Sequence, residues 1–325
     1  MSSYAALRIL AGASFIFGLT ACGASLTPSS NGPASVSPAV SRRVSPAFTK
    51  PALITLDSNG AIAYWPISPS GGNTLTEISK PLGISANGMA ANDEVVVMAD
   101  YYHSQLVSYN VKTKAMTALA DPYGNPFDVA IGKTGTIYAL NFKNVAVFRP
   151  GTSQPSELSC SRVNEGESIA VNKQGDVFVD GYGNKFEGVI EYKAGKNNCT
   201  TPDLNPVEGY IAGVGVDPKT DSLITIDDPD LCAGGLEGRM FIYPKPYHVR
   251  TAREVDLYAT YCSGSFRLNS TSTLVFVSDA SVSAGYPIID QFSYPGGVAE
   301  GTYQVGGFGS NSFGPFTTIP NKLPN

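Results

Sequence analysis

The stretch Asp128-Val-Ala-Ile-Gly-Lys-Thr-Gly-Thr-Ile-Tyr-Ala-Leu-Asn141, followed by Val145-Ala-Val-Phe148-Arg-Pro-Gly151, holds one complete structural unit. It consists of a short apolar strand, a turn built on Gly and Lys, a second strand closed by an amide, and a third strand that ends on an aromatic ring. A second copy runs Ser168-Ile-Ala-Val-Asn-Lys-Gln-Gly-Asp-Val-Phe-Val-Asp180 and continues at Val189-Ile-Glu-Tyr192. Two markers then follow the unit along the chain. The acid or amide closing the second strand recurs at Asp57, Asp100, Asn141, Asp180, Asp227 and Asp279, and the aromatic closing the third at Tyr64, Tyr109, Phe148, Tyr192, Tyr243 and Tyr294. Both advance by 39 to 52 residues at a time, the length of one four-stranded blade. Six pairs of markers predict an all-β fold, a six-bladed β-propeller; a β-sandwich with as many strands carries no such period.

The first copy begins at Leu53-Ile-Thr-Leu-Asp57, which reads as a second strand without an innermost one before it. Phe313-Gly-Pro-Phe-Thr-Thr-Ile319 reads as an innermost strand with nothing after it, so it is expected to complete blade one and remove the open edge of the ring. Strand alternation sorts the loops: those joining second to third strands, and those joining one blade to the next, share an upper face, and the remaining turns share the lower face.

The unit resembles the NHL repeat, whose pattern is roughly Gly-Ile-Ala-Val, a turn Gly, Val-Tyr-Val-Ala-Asp, and a strand ending in Val-Phe. The resemblance spans residues 52 to 320, with weaker copies at both ends, and it too implies a six-bladed propeller.

Composition agrees with this reading. Gly (34), Pro (23) and Tyr (17) are abundant and charged residues make up 15%, a balance that favours short strands and turns over helices. Residues 51–325 are therefore expected to form one propeller domain. Residues 1–21 differ from it: one cation, Arg8, precedes an apolar run from Ile9 through Leu19, which has the length of a signal-peptide core and is too short for a bilayer span. The run ends in Leu19-Thr20-Ala21-Cys22-Gly23, which resembles a bacterial lipobox, in which the Cys thiol takes a diacylglycerol. Cys22 is thus the expected lipidation site, with palmitate-type chains contributing about 0.8 kcal/mol per buried methylene to membrane attachment. Residues 22–50 are the lipidated Cys and a Ser/Pro/Ala-rich tether with cations only at Arg42, Arg43 and Lys50, long enough to hold the domain roughly 30 Å from the lipid. The expected protein is exported and lipid-anchored, and Ala24 would permit sorting to the outer membrane or cell surface in a Gram-negative host.

Residues 51–325 carry 18 Lys+Arg against 27 Asp+Glu, which argues against nucleic acid as a partner, since phosphate binding needs a basic footprint. A monomer that meets a protein or glycan ligand is expected. Apart from Cys22 there are four cysteines, an even number in an oxidising compartment, so disulfides are expected. Cys232 and Cys262 both map to the upper face and form the preferred pair. Cys160 and Cys199 map to the outer strands of blades three and four, where a bridge requires the loops to bring the Cα atoms within about 7 Å.

Propellers place function where loops converge on the mouth of the central channel. The side chains mapped there as ligand-binding candidates are Asn87, Tyr101, Tyr102, His103, Glu165, Glu167, Asp228, Asp230 and Arg239. The recurring acids at the ends of the second strands have a plainer reading: they bond loop amides in the manner of an Asx turn. Glu165 and Glu167, and the blade-five group Asp228, Asp230, Glu237 and Arg239, break the repeat, although Asp227-Asp228-Pro229-Asp230 does not match a calcium loop of the EF-hand type. His103 and His248 are the only histidines and map to opposite faces; with no Gly-x-Ser-x-Gly elbow, a Ser-His-Asp triad is disfavoured. Similarity of fold to the gluconolactonase-like propellers implies the rival reading, a hydrolase with one divalent cation such as Ca²⁺ in the channel. On that resemblance Asn87, Asp128 and Glu165 or Glu167 would be the metal ligands. Lyases acting on cyclic peptides form a third class, but they depend on histidine chemistry. The first reading is a surface-anchored recognition module.

Overall fold

In a computed structural model, the described residues run from 51 to 319, apart from 57–59, 69–70, 73–75, 78, 184–185, 195, 205–209, 229–237, 259, 261–262, 280–287 and 305–314. Cys22 and the tether, Asp57, Asp230, Cys232, Glu237 and Cys262 lie outside them.

The apolar stretches pair as antiparallel strands in six sheets. Blade 2 comprises Ala86–Ala91, Val95–Asp100, Gln105–Asn110 and Met116–Ala120, and blade 3 comprises Asp128–Ile131, Ile137–Leu140, Asn144–Phe148 and Ser156–Ser159. Blade 4 holds Glu165–Val171, Val177–Gly183, Phe186–Tyr192 and Cys199–Thr200, and blade 5 holds Tyr210–Val216, Leu223–Asp228, Gly238–Tyr243 and Arg253–Leu257. Blade 6 is Ser263–Leu268, Leu274–Asp279, Ile288–Ser293 and Ala299–Gln304. The first strand of each blade packs beside the first strands of its neighbours, so these strands line a central channel. The chain is a six-bladed β-propeller.

Blade 1 closes as expected. Phe316–Ile319 is its innermost strand and pairs with Ala52–Leu56, which in turn pairs with Ile62–Pro66 and through it with Thr76–Glu77. One departure concerns strand count: blade 6 has five strands, because Gly71–Gly72 leaves blade 1 and pairs in parallel with Thr302 and Tyr303. Side chains support this strap, with the Tyr303 hydroxyl accepting from Ser68 N–H at 3.2 Å and Gln291 Nε2 donating to Ser68 O at 3.1 Å. The ring is thus fastened on both sides of the same seam.

Among the described residues the only helical pieces are two short 3-10 turns, Tyr101–His103 and Val249–Thr251. The core lies between blades. Tyr109, Phe148, Tyr192, Tyr243 and Tyr294 are buried and Tyr64 of blade 1 is half-buried, so in five of the six blades the third-strand aromatic that marks the repeat is a wedge driven into the core between blades. A second recurring device holds the hairpins of the lower face: Asn92, Asn172 and Asn269 each accept two amide hydrogens of the turn that follows, and Asp217 accepts one from Lys219.

Cys160 and Cys199 are joined, with Cα atoms 6.0 Å apart. The outer strands of blades 3 and 4 are also stitched by Ser159 N–H to Asn197 Oδ1 and by Arg162 Nη1 to Thr201 Oγ1. This is the loop accommodation that the bridge needed. The Cys232–Cys262 pairing lies outside the described residues.

Candidate functional site

Innermost strands are apolar because their faces meet other blades, so a charge on one of them needs a partner. Asp128 opens the innermost strand of blade 3, and Gly88 of blade 2 makes room for it: a Cβ at Gly88 would lie 2.3 Å from Asp128 Oδ1. Arg267, on the innermost strand of blade 6 across the ring, sends Nη2 to Asp128 Oδ1 at 2.9 Å and to Met89 O at 3.2 Å, while Nη1 donates to Phe266 O at 2.9 Å. Asp128 Oδ2 accepts from Ile169 N–H of blade 4 at 3.2 Å. One ion pair therefore crosses the channel and touches blades 6, 2, 3 and 4. Burial pushes the Asp128 carboxyl above its ordinary range, with the Arg267 charge and the hydrogen bonds opposing that shift.

Asp180 lies beside it, where the second strand of blade 4 reaches the upper face. It accepts from Ser168 N–H, and Ser168 Oγ accepts from Val214 N–H of blade 5 at 2.6 Å. Its other oxygen is buried without a hydrogen-bond partner. Burial, reinforced by the nearby Asp128 charge and opposed by hydrogen bonds, pushes Asp180 up to about 7. Asp100 is better satisfied, accepting from Ser85 N–H and Gln105 Nε2 and pairing with His103 Nδ1 at 2.8 Å. Asp100 and Asp180 therefore depart from the Asx-turn expectation: their backbone donors, Ser85 N–H and Ser168 N–H, come from the first-strand side of the blade, and the loop of blade 2 meets Asp100 through the His103 and Gln105 side chains. Asp227 follows the same logic: Arg239 Nη2 reaches it at 2.8 Å, yet burial outweighs that charge and pushes it up to about 6.

The recurrence of bulges explains where several candidates point. The ladder between first and second strands slips between Ala86 and Gly88, Gly166 and Ser168, Ile211 and Gly213, and Ser263 and Phe266. Asn87 and Glu167 are the extra residues of two such bulges, a position that re-aims a side chain at the rim. Asn87 is exposed, Glu165 and Glu167 are half-buried, and Asp128 is engaged by Arg267. Among the described residues no group of three or more His, Cys, Asp or Glu side chains could hold a metal ion. Arg239 is anchored by Asp227 and Glu254 and lies over the Phe241 ring. Asp228 ends the second strand of blade 5, and its side chain lies outside the described residues, as does all of Asp230.

The remaining candidates converge. Tyr101, Tyr102 and His103 form the 3-10 turn between the second and third strands of blade 2, with Ser104 in the left-handed region at φ 50° where the chain reverses. The Tyr102 ring, 73% exposed, meets Tyr101 edge to face at 5.4 Å; Tyr101 meets Phe142 of blade 3 at 6.1 Å, and Phe142 meets Phe127 at 5.9 Å. Phe127 and Phe142 were missed in the sequence because neither occupies a repeat marker. Together the four rings make an aromatic ladder across two blades of the upper face. His103 borders it, and His248, in the connection between third and fourth strands of blade 5, pairs with Asp203 at 3.3 Å on the lower face.

Arg267 was also missed, although Phe266-Arg267-Leu268 places a lone cation among apolar neighbours of an innermost strand. Arg267 also lines a chamber of about 100 Å³ to which all six blades contribute, among them Ala130, Ala170, Val214, Phe266 and Thr317.

No family model matches the chain, and no characterised protein shows detectable similarity to it in sequence. Solved structures do share its fold. A chain of a nidogen/laminin complex superposes with a TM-score of 0.66 at 12% identity, covering 84% of this chain and 99% of that one. A catalytically inactive histidine-to-alanine form of virginiamycin B lyase from Staphylococcus aureus, with quinupristin, gives 0.57 at 10% identity over 82% and 85%. A streptogramin B lyase gives 0.51 at 10% identity over 86% and 78%.

Proposed function

We propose that this protein is a lipid-anchored recognition module, exported and held on a bacterial membrane through acylated Cys22, whose propeller docks a protein or glycan partner of the envelope on its upper face. The observation that carries the reading is the aromatic ladder Tyr102, Tyr101, Phe142 and Phe127, half-buried at its base and exposed at its tip. Tyr rings supply large contact area at low entropic cost, which is why they are enriched at interfaces. Among the fold neighbours, the nidogen/laminin structure is itself a complex between proteins. A channel hydrolase would need Asp128 available to a cation, whereas here it already accepts from Arg267 and Ile169. Lyase chemistry is disfavoured as well: the lyase neighbour described as inactive lost a histidine, and the two histidines here are each paired with an aspartate on opposite faces. The tether and the lipobox-like Leu19-Thr20-Ala21-Cys22 support the location.

Site-specific photo-crosslinking in cells tests the docking face. A photoreactive residue at position 102 should give one discrete adduct that disappears with Tyr101→Ser, while the same probe at Lys219, exposed on the lower face, should give none. Equal adducts at both positions, or none at 102, would refute it. Cys22→Ala should release the protein from the membrane fraction; continued membrane attachment would refute the anchor.

A further inference from the structure

We infer that the lower face of the propeller docks on anionic phospholipid headgroups of the membrane that holds the protein, so that the aromatic ladder on the upper face points away from the lipid. That membrane is the one assigned above through Cys22, so the docking rests on the anchored reading. The chain enters the ring on this side. Ala52 opens the second strand of blade 1 and pairs with Ile319, the last residue of its innermost strand. Innermost strands descend to the lower face and second strands rise from it, so Pro51 and the segment before it join the propeller there. The upper face meets the same lipid only when residues 23–50 pass around the propeller.

Charge is sorted between the two faces, although residues 51–325 carry more acids than bases. The lower turns of blades 3, 4 and 5 hold Lys133, Arg149, Lys173, Lys196, Lys219 and Arg250, none with an ion-pair partner among the described residues. Lys173 is half-buried and the other five are exposed. In the same turns Lys193 and Lys245 are paired with acids, and the acids of those turns, Asp176, Asp217 and Asp221, are each at most 8% exposed. Asp203, next to them, pairs with His248. Blade 2 is balanced there, with Lys112 and Lys114 set against Asp93 and Glu94. At the other end of the ring, Asp100, Asp128, Asp180, Asp227 and Asp279 stand at the upper ends of first and second strands.

The cationic turns form one surface. Lys173 N–H donates to Asp221 Oδ1 at 3.4 Å, Lys173 Nζ to Lys219 O at 3.2 Å and Lys245 Nζ to Gln174 Oε1 at 2.8 Å, which joins blade 4 to blade 5. Blade 3 is close as well, since a Cβ at Gly175 would lie 3.8 Å from the Tyr138 hydroxyl. Cations held near an anionic leaflet each raise the partition onto it about fivefold, within a Debye length of the surface. A soluble polyanion would meet the same side chains, but the membrane is brought to them by residue 51 and by a segment, residues 23–50, that carries Arg42, Arg43 and Lys50 and no acid.

Vesicle co-sedimentation tests this with the chain from residue 23 onward, which keeps every strand of the closed ring and lacks the acylated cysteine. At about 0.1 M salt it should bind phosphatidylcholine vesicles containing about one-third phosphatidylglycerol roughly tenfold or more above phosphatidylcholine alone, and about 1 M salt should abolish the difference. Lys196→Gln with Lys219→Gln should weaken binding by on the order of 25-fold, while Lys80→Gln with Lys143→Gln, the same charge change on exposed upper-face residues, should alter it less than about twofold. Equal binding to both vesicle types, or equal losses from the two pairs of substitutions, would overturn the docking. Displacement of the vesicles by soluble polyphosphate at the same phosphate concentration would assign the face to a soluble polyanion and overturn it too. The anchor is read separately: release of Cys22→Ala from the membrane fraction, with no vesicle binding by the shorter chain, would refute the docking and leave the anchor standing.

Discussion

Replacing Arg267 by Met removes the positive half of the ion pair that spans the channel and leaves the apolar stem in place. Asp128 then remains with a side chain only 6% exposed and no cation opposite it. Breaking a buried pair from one side costs about 3–5 kcal/mol, because the surviving charge keeps its desolvation penalty and loses its compensation. The bonds to Met89 O and Phe266 O are lost as well, each worth about 1 kcal/mol, so the upper part of that range is expected. The penalty must also depend on pH. Burial already holds Asp128 above the ordinary carboxylate range while Arg267 opposes it, so without Arg267 its folded-state pKa rises further. A carboxyl whose folded pKa exceeds its unfolded one contributes full stability below the unfolded value and loses it as pH rises through the folded one. The deficit of Arg267→Met should therefore be large at pH 7.5 and much smaller at pH 5. Urea unfolding followed by the single tryptophan, Trp65, buried in blade 1, measures it. Asp128→Asn in the Arg267→Met background should recover most of the loss, which closes a double-mutant cycle. A loss below about 1 kcal/mol at pH 7.5, or an equal loss at pH 5, would refute the assignment of this pair as the structural tie across the ring.

Asp180, pushed up to about 7 mainly by burial, should make the native protein progressively less stable between about pH 4 and pH 7 and flat above that. The stability difference between Asp180→Asn and the wild type should therefore grow by on the order of 2–4 kcal/mol across that window, and a difference independent of pH in thermal unfolding would contradict the shift. The Cys160–Cys199 bridge closes a separation of 39 residues, for which chain entropy gives about 4 kcal/mol; the double Ser variant should unfold earlier by that amount, and an unchanged melting temperature would show that the hydrogen bonds around it suffice alone.

The fold was legible because the repeat writes two independent signals per blade, and each has a physical job. The third-strand aromatics wedge between blades, and the second-strand acids tie down neighbouring backbone. Closure by Phe316–Ile319 followed from counting strands at the two ends of the repeat. The strap Gly71–Gly72 was not legible, since two glycines carry no side-chain pattern and their pairing with Thr302 and Tyr303 is set by the path of the loop. At the candidate site, His103 and the tyrosines could be found because they sit in one short turn. Phe127 and Phe142 join them only through three-dimensional proximity between blades 2 and 3. Arg267 illustrates the same limit: its partner is 139 residues away, and no spacing rule connects opposite blades of a ring. The lower-face Asx residues Asn92, Asn172, Asp217 and Asn269 could have been read, because each directly follows an innermost strand, and they would have fixed the hairpins more sharply than the turn glycines.

The pairing of Ala52 with Ile319 has a consequence for how the chain is threaded. In the other five blades the first and second strands are joined at the corresponding place by a tight hairpin, such as the turn from Asn172 to Asp176 or from Asp217 to Ser222. The seam of the ring therefore occupies the position of a sixth, missing hairpin. Joining residue 319 to residue 52 with a turn of that kind and opening the chain at Lys219 would give a circular permutant with every innermost-strand pairing intact. The seam would simply move from blade 1 to blade 5.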